Sequence, residues 1–268
     1  MISKNNFYFL LYIIIFILLF IKIYEVKKPN IPFKINKIES FTNKKISNDK
    51  HIIINFGNSE TSKEVYQNNY LNTMNKLNRK MRQFQNSQEL YDFYLNHSFL
   101  DITEKDEDVF RFMIITLLDR IDNKIVRRFI KNYLIDMTIV KGNNKLESGM
   151  PHTHNKTIIF PQSYFTSIHT KYKLNFIESM LENEGLTFIH EILHIHQRYN
   201  KNKYLELYKQ WGFTIPEYIN NIINFKRLNR HNPDGLKVNW VWNNNNKYYL
   251  IGAVFNDNSN NLTDTDYI

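Results

Sequence analysis

His190 and His194, with Glu191 beside the first, stand four residues apart in the run GLTFIHEILHIHQRYN at 185–200. In a helix of about 3.6 residues per turn, side chains four apart lie one above the other, so both imidazoles can turn toward one ion. Two neutral imidazoles suit zinc, and Glu191, about a quarter-turn round, can reach a metal-bound water without displacing them. The chemistry that such an arrangement serves is hydrolysis. Zinc lowers the pKa of the water toward ~7, and the glutamate takes its proton as it attacks a carbonyl. His196 falls on the opposite side of the helix from His190, which excludes it as a further ligand from the same turn. Gln197 shares the metal-facing side one turn along and reads as a support for a ligand or a packing residue. The competing reading is a helix whose histidines are satisfied by their neighbours.

The motif needs an element to lie on and another to face. Leu186, Ile189, Ile192 and Leu193 form an apolar stripe that can bury this helix beneath a sheet. Upstream, the short β-branched runs IDMTIV at 135–140 and KTIIFP at 156–161 read as neighbouring strands, and HIIINF at 51–56 as another. Helical spacing predicts an amphipathic helix through Val65, Tyr66, Leu71, Met74, Leu77 and Met81, and two more in TEKDEDVFRFMIITLLDRI and KIVRRFIKNYLI. Acidic residues lead the second, as the helix dipole favours. A polar, aromatic helical region is expected from Lys203 to about Leu228, and a hairpin from LKVNWVW and KYYLIGAVF around the asparagines at 243–246. The fold expectation is one α+β domain over 51–268, helices preceding a small sheet, with the motif helix placed after an edge strand.

With these residues in view, the chain resembles the zincin metallopeptidases, and within them a group of poorly characterised proteins of large DNA viruses. The resemblance rests on ESGMPHTHNKTIIFP at 147–161, HEILHIHQR at 190–198 and RHNPDG at 230–235, and covers roughly the C-terminal half. It implies a zincin-like domain with an edge strand that pairs with an extended substrate, a zinc helix, and a final ligand downstream. Only the second motif is specific to zincins as a whole.

The metzincin pattern would require Gly at 197 and His at 200, where Gln197 and Asn200 stand, so that branch is excluded. The third ligand is left among Asp234, Glu217, Glu206 and His231, or no protein group. Asp234 is preferred, a short carboxylate in a Pro-Asp-Gly turn 40 residues beyond His194. The same tripeptide is also ordinary turn chemistry. His152 and His154 in MPHTH alternate along an extended chain and so share a side. His152 is a candidate to bind the substrate carbonyl or its oxyanion, against the plainer reading of a polar loop.

Composition bounds what else the chain can do. Of its 268 residues 43% are hydrophobic, enough for a sizeable core, and the absence of cysteine removes disulfides, thiolate ligands and thiol nucleophiles. Peptide deformylases, which use such a helix with a cysteine ligand, are thereby excluded. The net charge of +9 is spread along the chain without a basic stripe among aromatics, so no specific nucleic acid is expected as a partner. Residues 7–21, FYFLLYIIIFILLFI, are uninterrupted apolar sequence close to the ~20 residues that cross a bilayer. The region has no small-residue cleavage site, so a single-pass anchor over 1–24 is expected, followed by a polar tether over 25–50. The lysines around it favour the large domain on the cytosolic side, against a host or virion membrane if the protein is viral. The functional expectation is a membrane-anchored, zinc-dependent metallopeptidase acting on a peptide or protein. The alternative is a zincin-like, membrane-tethered interaction module without turnover.

Overall fold

The computed structural model describes residues 52–66, 70–214, 228–230, 234, 241–244, 247–250, 252–255, 259 and 266–267. The expected anchor over 1–24 and tether over 25–50 lie outside these residues, as do Glu217 and His231. Among the described residues no helix is long and apolar enough to cross a membrane.

The fold is α+β. Its main sheet runs β1 (Asn55–Phe56), β3 (Thr138–Gly142), β5 (Thr157–Pro161) and β4 (His152–His154), with β2 (Phe99–Leu100) also on β3. Strands β3 and β5 are parallel, pairing Ile139 with Ile158 and Val140 with Ile159. Strand β4 returns antiparallel on the far side of β5, with His152 opposite Ile159 and Thr153 opposite Ile158. It is therefore the edge of the sheet. Strands β1 and β2 share the other side of β3, one at each end.

Alternation along the strands divides the interior in two. After three short helices, α1 (Ser59–Ser62), α2 (Lys76–Met81) and α3 (Ser87–Asp92), come the longer ones: Ile139, Ile158 and Phe160 face a core built with α4 (Glu104–Arg120), α5 (Lys124–Asp136), α6 (Gln162–Lys173) and α8 (Leu186–Tyr199). Val140 and Ile159 face a second cluster of Tyr66, Tyr70, Met74, Phe84, Leu90 and Tyr94. Each fully buried large side chain in these clusters, Phe110 or Ile192 for example, contributes about 1.5–3 kcal/mol.

The second cluster explains one departure from the expected elements. Instead of a single helix through 65–81, the chain makes short 3-10 turns at Lys63–Tyr66 and Leu71–Thr73, then a short helix at Lys76–Met81. Tyr66, Tyr70, Leu71 and Met74 all bury into the same cluster, and Met74 turns extended so that Asn75 can cap the short helix after it. Tertiary burial overrides helical spacing here. Elsewhere α4 and α5 form where periodicity places them, although Ile135 and Asp136 belong to α5 and not to β3. The predicted hairpin forms from β7 (Val241–Asn244) and β8 (Lys247–Leu250), with β6 (Phe213–Thr214) added beside β7. The helical region after Lys203 is α9 (Lys201–Gln210), which ends before β6.

Helix α4 begins in a reciprocal cap between Thr103 and Asp106. Asp106 also accepts from Lys141 of β3 at 2.9 Å and meets His169 of α6 at 2.8 Å, so one carboxylate ties helix, sheet and helix. Burial pushes this carboxyl up, but the bonds from Lys141, Thr103 and His169 outweigh it and hold it at about 2, below its ordinary 3.8. With the folded value depressed, the stabilisation is complete above the unfolded value and is lost as pH falls through about 2. Asp106→Asn should lower the urea midpoint of the full-length protein in detergent at neutral pH and flatten its decline between pH 4 and pH 2. An acid limb identical to that of the parent protein would exclude this carboxylate as a contributor.

Candidate metal centre

Helix α8 is built to bury one side and present another. Phe188, Ile189, Ile192 and Ile195 are buried against α4, α5 and the sheet, at the three- and four-residue spacings of one helical face. His190, His194 and Arg198 follow at intervals of four on an adjacent ridge. Glu191 lies at the border and is only 3% exposed. Before α8 comes a wider π turn, Leu181–Gly185, continuous with the short helix α7 (Ile177–Met180). Tyr164 donates its hydroxyl to the Glu184 carbonyl at 2.7 Å, and the Glu184 carboxylate holds Lys171 and Ser167.

The two histidines converge. Their Nε2 atoms are 2.9 Å apart and their rings stand at 89°, with His190 exposed and His194 half-buried. Nitrogens bound to one tetrahedral zinc at ~2.0–2.1 Å would be about 3.3 Å apart, so the pair lies close to a bidentate spacing. Gln197 Oε1 lies 3.3 Å from His194 Nδ1, and the Gln197 amide donates to the Tyr208 hydroxyl at 3.1 Å. With the amide oxygen accepting the Nδ1 proton, the lone pair of His194 is left on Nε2, facing His190. Burial holds the His194 imidazole below its ordinary value, outweighing the nearby Asp234 charge, and so favours the neutral form that a metal requires.

Two carboxylates complete the surroundings. One ligating atom each from Glu191, His194 and Asp234 lies within 4.8 Å of the others. His190 is outside that triple, but its nitrogen pairs directly with that of His194. Glu191 Oε2 is buried with no hydrogen-bond partner among the described residues. Burial first, and then the charge of Asp234, push the Glu191 carboxyl well above its ordinary value, with Arg198 opposing. Asp234 is 8% exposed, and its Oδ1 accepts from both the backbone N–H and the hydroxyl of Thr153. Imidazole nitrogens and carboxylate oxygens without thiolates fit zinc, and the unsatisfied Glu191 oxygen is the buried polar atom that such a centre would explain. Glu206, the alternative ligand that can be described, is exposed on α9 and paired with Lys209 at 2.9 Å.

His152 takes a different setting from the expected one. Thr153 pairs with Ile158, which faces the core of α8, whereas His152 pairs with Ile159 on the opposite face. His152 and His154 do share a side, with Tyr66 stacked on the first and tilted against the second, but that side is turned away from α8. Within the buried cluster His152 Nδ1 meets the Met150 carbonyl at 2.9 Å and Nε2 meets the Tyr66 hydroxyl. Both ring nitrogens are occupied, which leaves neither for a substrate carbonyl in this arrangement. The expected edge strand is present as β4, yet its Thr153 amide is taken by Asp234 and the adjoining Asn155 carbonyl by Arg198 at 2.7 Å.

Sequence reasoning assigned no role to Arg198 or Thr153, or to the ion pair behind β4. Arg82 grips Glu147 through two bonds, at 2.7 and 3.1 Å, and the hydroxyls of Tyr70 and Tyr94 donate to the same carboxylate at 2.7 and 2.6 Å. Burial raises the Glu147 carboxyl, but the Arg82 charge and these bonds hold it at about 2. Glu147 is also the first of three successive left-handed residues, with Ser148 and Gly149, that lead the chain toward β4. Arg82 and Glu147 are 65 residues apart, so no local pattern links them. For Arg198 the available signal was its four-residue spacing from His194.

Comparison of the chain with protein families, with curated proteins and with solved structures gives no match in any of the three. Glu147→Gln removes the counter-charge of a buried guanidinium. The unfolding free energy should fall by about 3–5 kcal/mol in urea titrations, and a loss below about 1 kcal/mol would count against a structural ion pair.

Proposed function

We propose that the chain is a zincin-like zinc metallopeptidase, tethered to a membrane by residues 7–21, in which His190, His194 and Asp234 hold the ion. What carries the reading is the convergence of the two histidine Nε2 atoms, 2.9 Å apart, beside two buried carboxylates. When bound, zinc would supply Lewis-acid activation of water and of the scissile carbonyl. His194 is prepared for its part by burial, which favours the neutral ring, while the Gln197 amide oxygen at Nδ1 selects the tautomer whose lone pair is on Nε2. Glu191 is the general base. Its buried Oε2, without a hydrogen-bond partner among the described residues and close to His194 and Asp234, is placed to take a proton from attacking water and return it to the leaving amine. The substrate class is a peptide or protein.

A second reading, a membrane-tethered interaction module without turnover, draws on one observation. The Thr153 amide, which an added substrate strand would use, is already held by Asp234.

The two readings separate on zinc content and peptide cleavage measured on the same preparations. The parent protein should carry about one zinc per chain, lost in His190→Ala and His194→Ala. Glu191→Gln should keep its zinc while hydrolysis falls by about two to four orders of magnitude. Equal zinc in the parent and both histidine variants would end the metal reading, and zinc without cleavage across a broad peptide library would select the interaction module. The anchor is tested separately: full-length chain should stay with membranes through alkaline carbonate washing, and its release would remove the spanning segment.

A further inference from the structure

Asp234 stands 40 residues beyond His194, yet it reaches α8 with its carboxylate already fixed. Three parts of the chain meet at that point. Thr153 is fully buried on the α8 side of β4 and directs both its N–H and its hydroxyl at one oxygen of Asp234, the hydroxyl at 2.9 Å. Arg198 then closes the arrangement from α8. Its Nη1 donates to the Thr153 hydroxyl oxygen at 2.8 Å and to the Asp234 carbonyl at 3.2 Å, and its Nη2 donates to the Asn155 carbonyl at 2.7 Å.

The chemistry of each group matters. A threonine hydroxyl has one proton to give and lone pairs to accept with, and here the proton goes to Asp234 while the oxygen accepts from Arg198. The guanidinium has donors fixed in a plane, so it can hold a side chain, the carbonyl of the β4 hairpin turn and the Asp234 carbonyl together, as a lysine ammonium cannot. Arg198 continues the His190 and His194 ridge by one more turn. The helix that supplies two imidazoles thus also supplies the group that locates the carboxylate.

We propose that Thr153 and Arg198 are positioning residues for Asp234, forming a clamp that orients its carboxylate toward the metal held by His190 and His194. The proposal rests on the zinc reading above. It assigns to the β4 edge a task other than strand addition: the Thr153 amide is used to set a ligand. Groups that orient a metal ligand change metal affinity by about 10- to 100-fold when removed.

The test is a competitive zinc titration of full-length protein in detergent, with cobalt(II) absorption as a second reporter of the donor set. Thr153→Val keeps the shape but loses the hydroxyl and should weaken zinc about 10- to 100-fold. Thr153→Ser restores the hydroxyl and should recover most of that loss. Arg198→Lys, which keeps the charge but not the fork, should also weaken zinc and alter the cobalt spectrum. Melting temperatures of the metal-free variants separate positioning from folding: a merely structural clamp would lower them and leave zinc affinity at the parent value. Should Thr153→Val fail to fold, the serine and lysine variants carry the comparison, and parent-like affinity and spectrum in Arg198→Lys would overturn the clamp. If Asp234→Ala loses zinc while Thr153→Val and Arg198→Lys keep it, the clamp alone is wrong. If Asp234→Ala keeps parent affinity, the ligand and its clamp fall together. A parent protein that binds no zinc would instead defeat the underlying metal reading, and the clamp with it.

Discussion

The pairing of Thr153 with Ile158 across β4 and β5 determines which residues of the edge strand can meet α8. Side chains alternate along a strand, so with Thr153 turned to α8, His152 and His154 are turned to the tyrosine cluster behind the sheet. A slip of one residue would exchange the two sets and bring imidazoles to the Asp234 position. The chain resists that slip at both ends of β4. Asn155 takes a left-handed conformation at the hairpin, and Glu147, Ser148 and Gly149 do so on entry. Left-handed backbone costs a residue with a side chain about 1–2 kcal/mol, and the buried bonds of Glu147 to Arg82, Tyr70 and Tyr94 hold that conformation in place.

Two buried glutamates on either side of this strand behave in opposite ways. Glu147 is surrounded by donors and a guanidinium and stays ionised far into acid. Glu191 is equally enclosed but faces another carboxylate, has one oxygen without a partner among the described residues, and is pushed above its ordinary value by burial and by Asp234. One fold can thus hold two like groups at widely separated proton affinities. Burial is common to both, and the difference lies in what is buried beside each.

The motif helix was legible because its evidence is local: His190 and His194 at a four-residue interval, with Ile189 and Ile192 marking the buried side. Asp234 was legible only as a turn residue of suitable chemistry, and the structure brings it to His194 and Glu191. The setting of His152 was not. Alternation shows that 152 and 154 share a side but not which side, because β4 lies between two cores and neither face of the strand reads as solvent. Arg82 and Glu147 were invisible for a related reason, since charged residues in a polar stretch read as surface until a distant partner buries them. The broken helix over 63–81 shows that limit for backbone: apolar spacing records which residues are buried, not the conformation that buries them.

The π turn at Leu181–Gly185 bears on how the site tolerates changes of chain length. Such a turn holds one residue more than an α-helical turn needs, and here the Glu184 carbonyl within it is held by the Tyr164 hydroxyl. Loss of one residue inside the turn would return the helix to ordinary geometry without changing the bearing of α8. The same loss between Leu186 and Ile189 would rotate His190 and His194 by about 100° against the sheet. Descendants of this chain can therefore shorten it at 181–185 and keep the bearing of α8 on β4, whereas a deletion a few residues later would turn His194 away from Asp234.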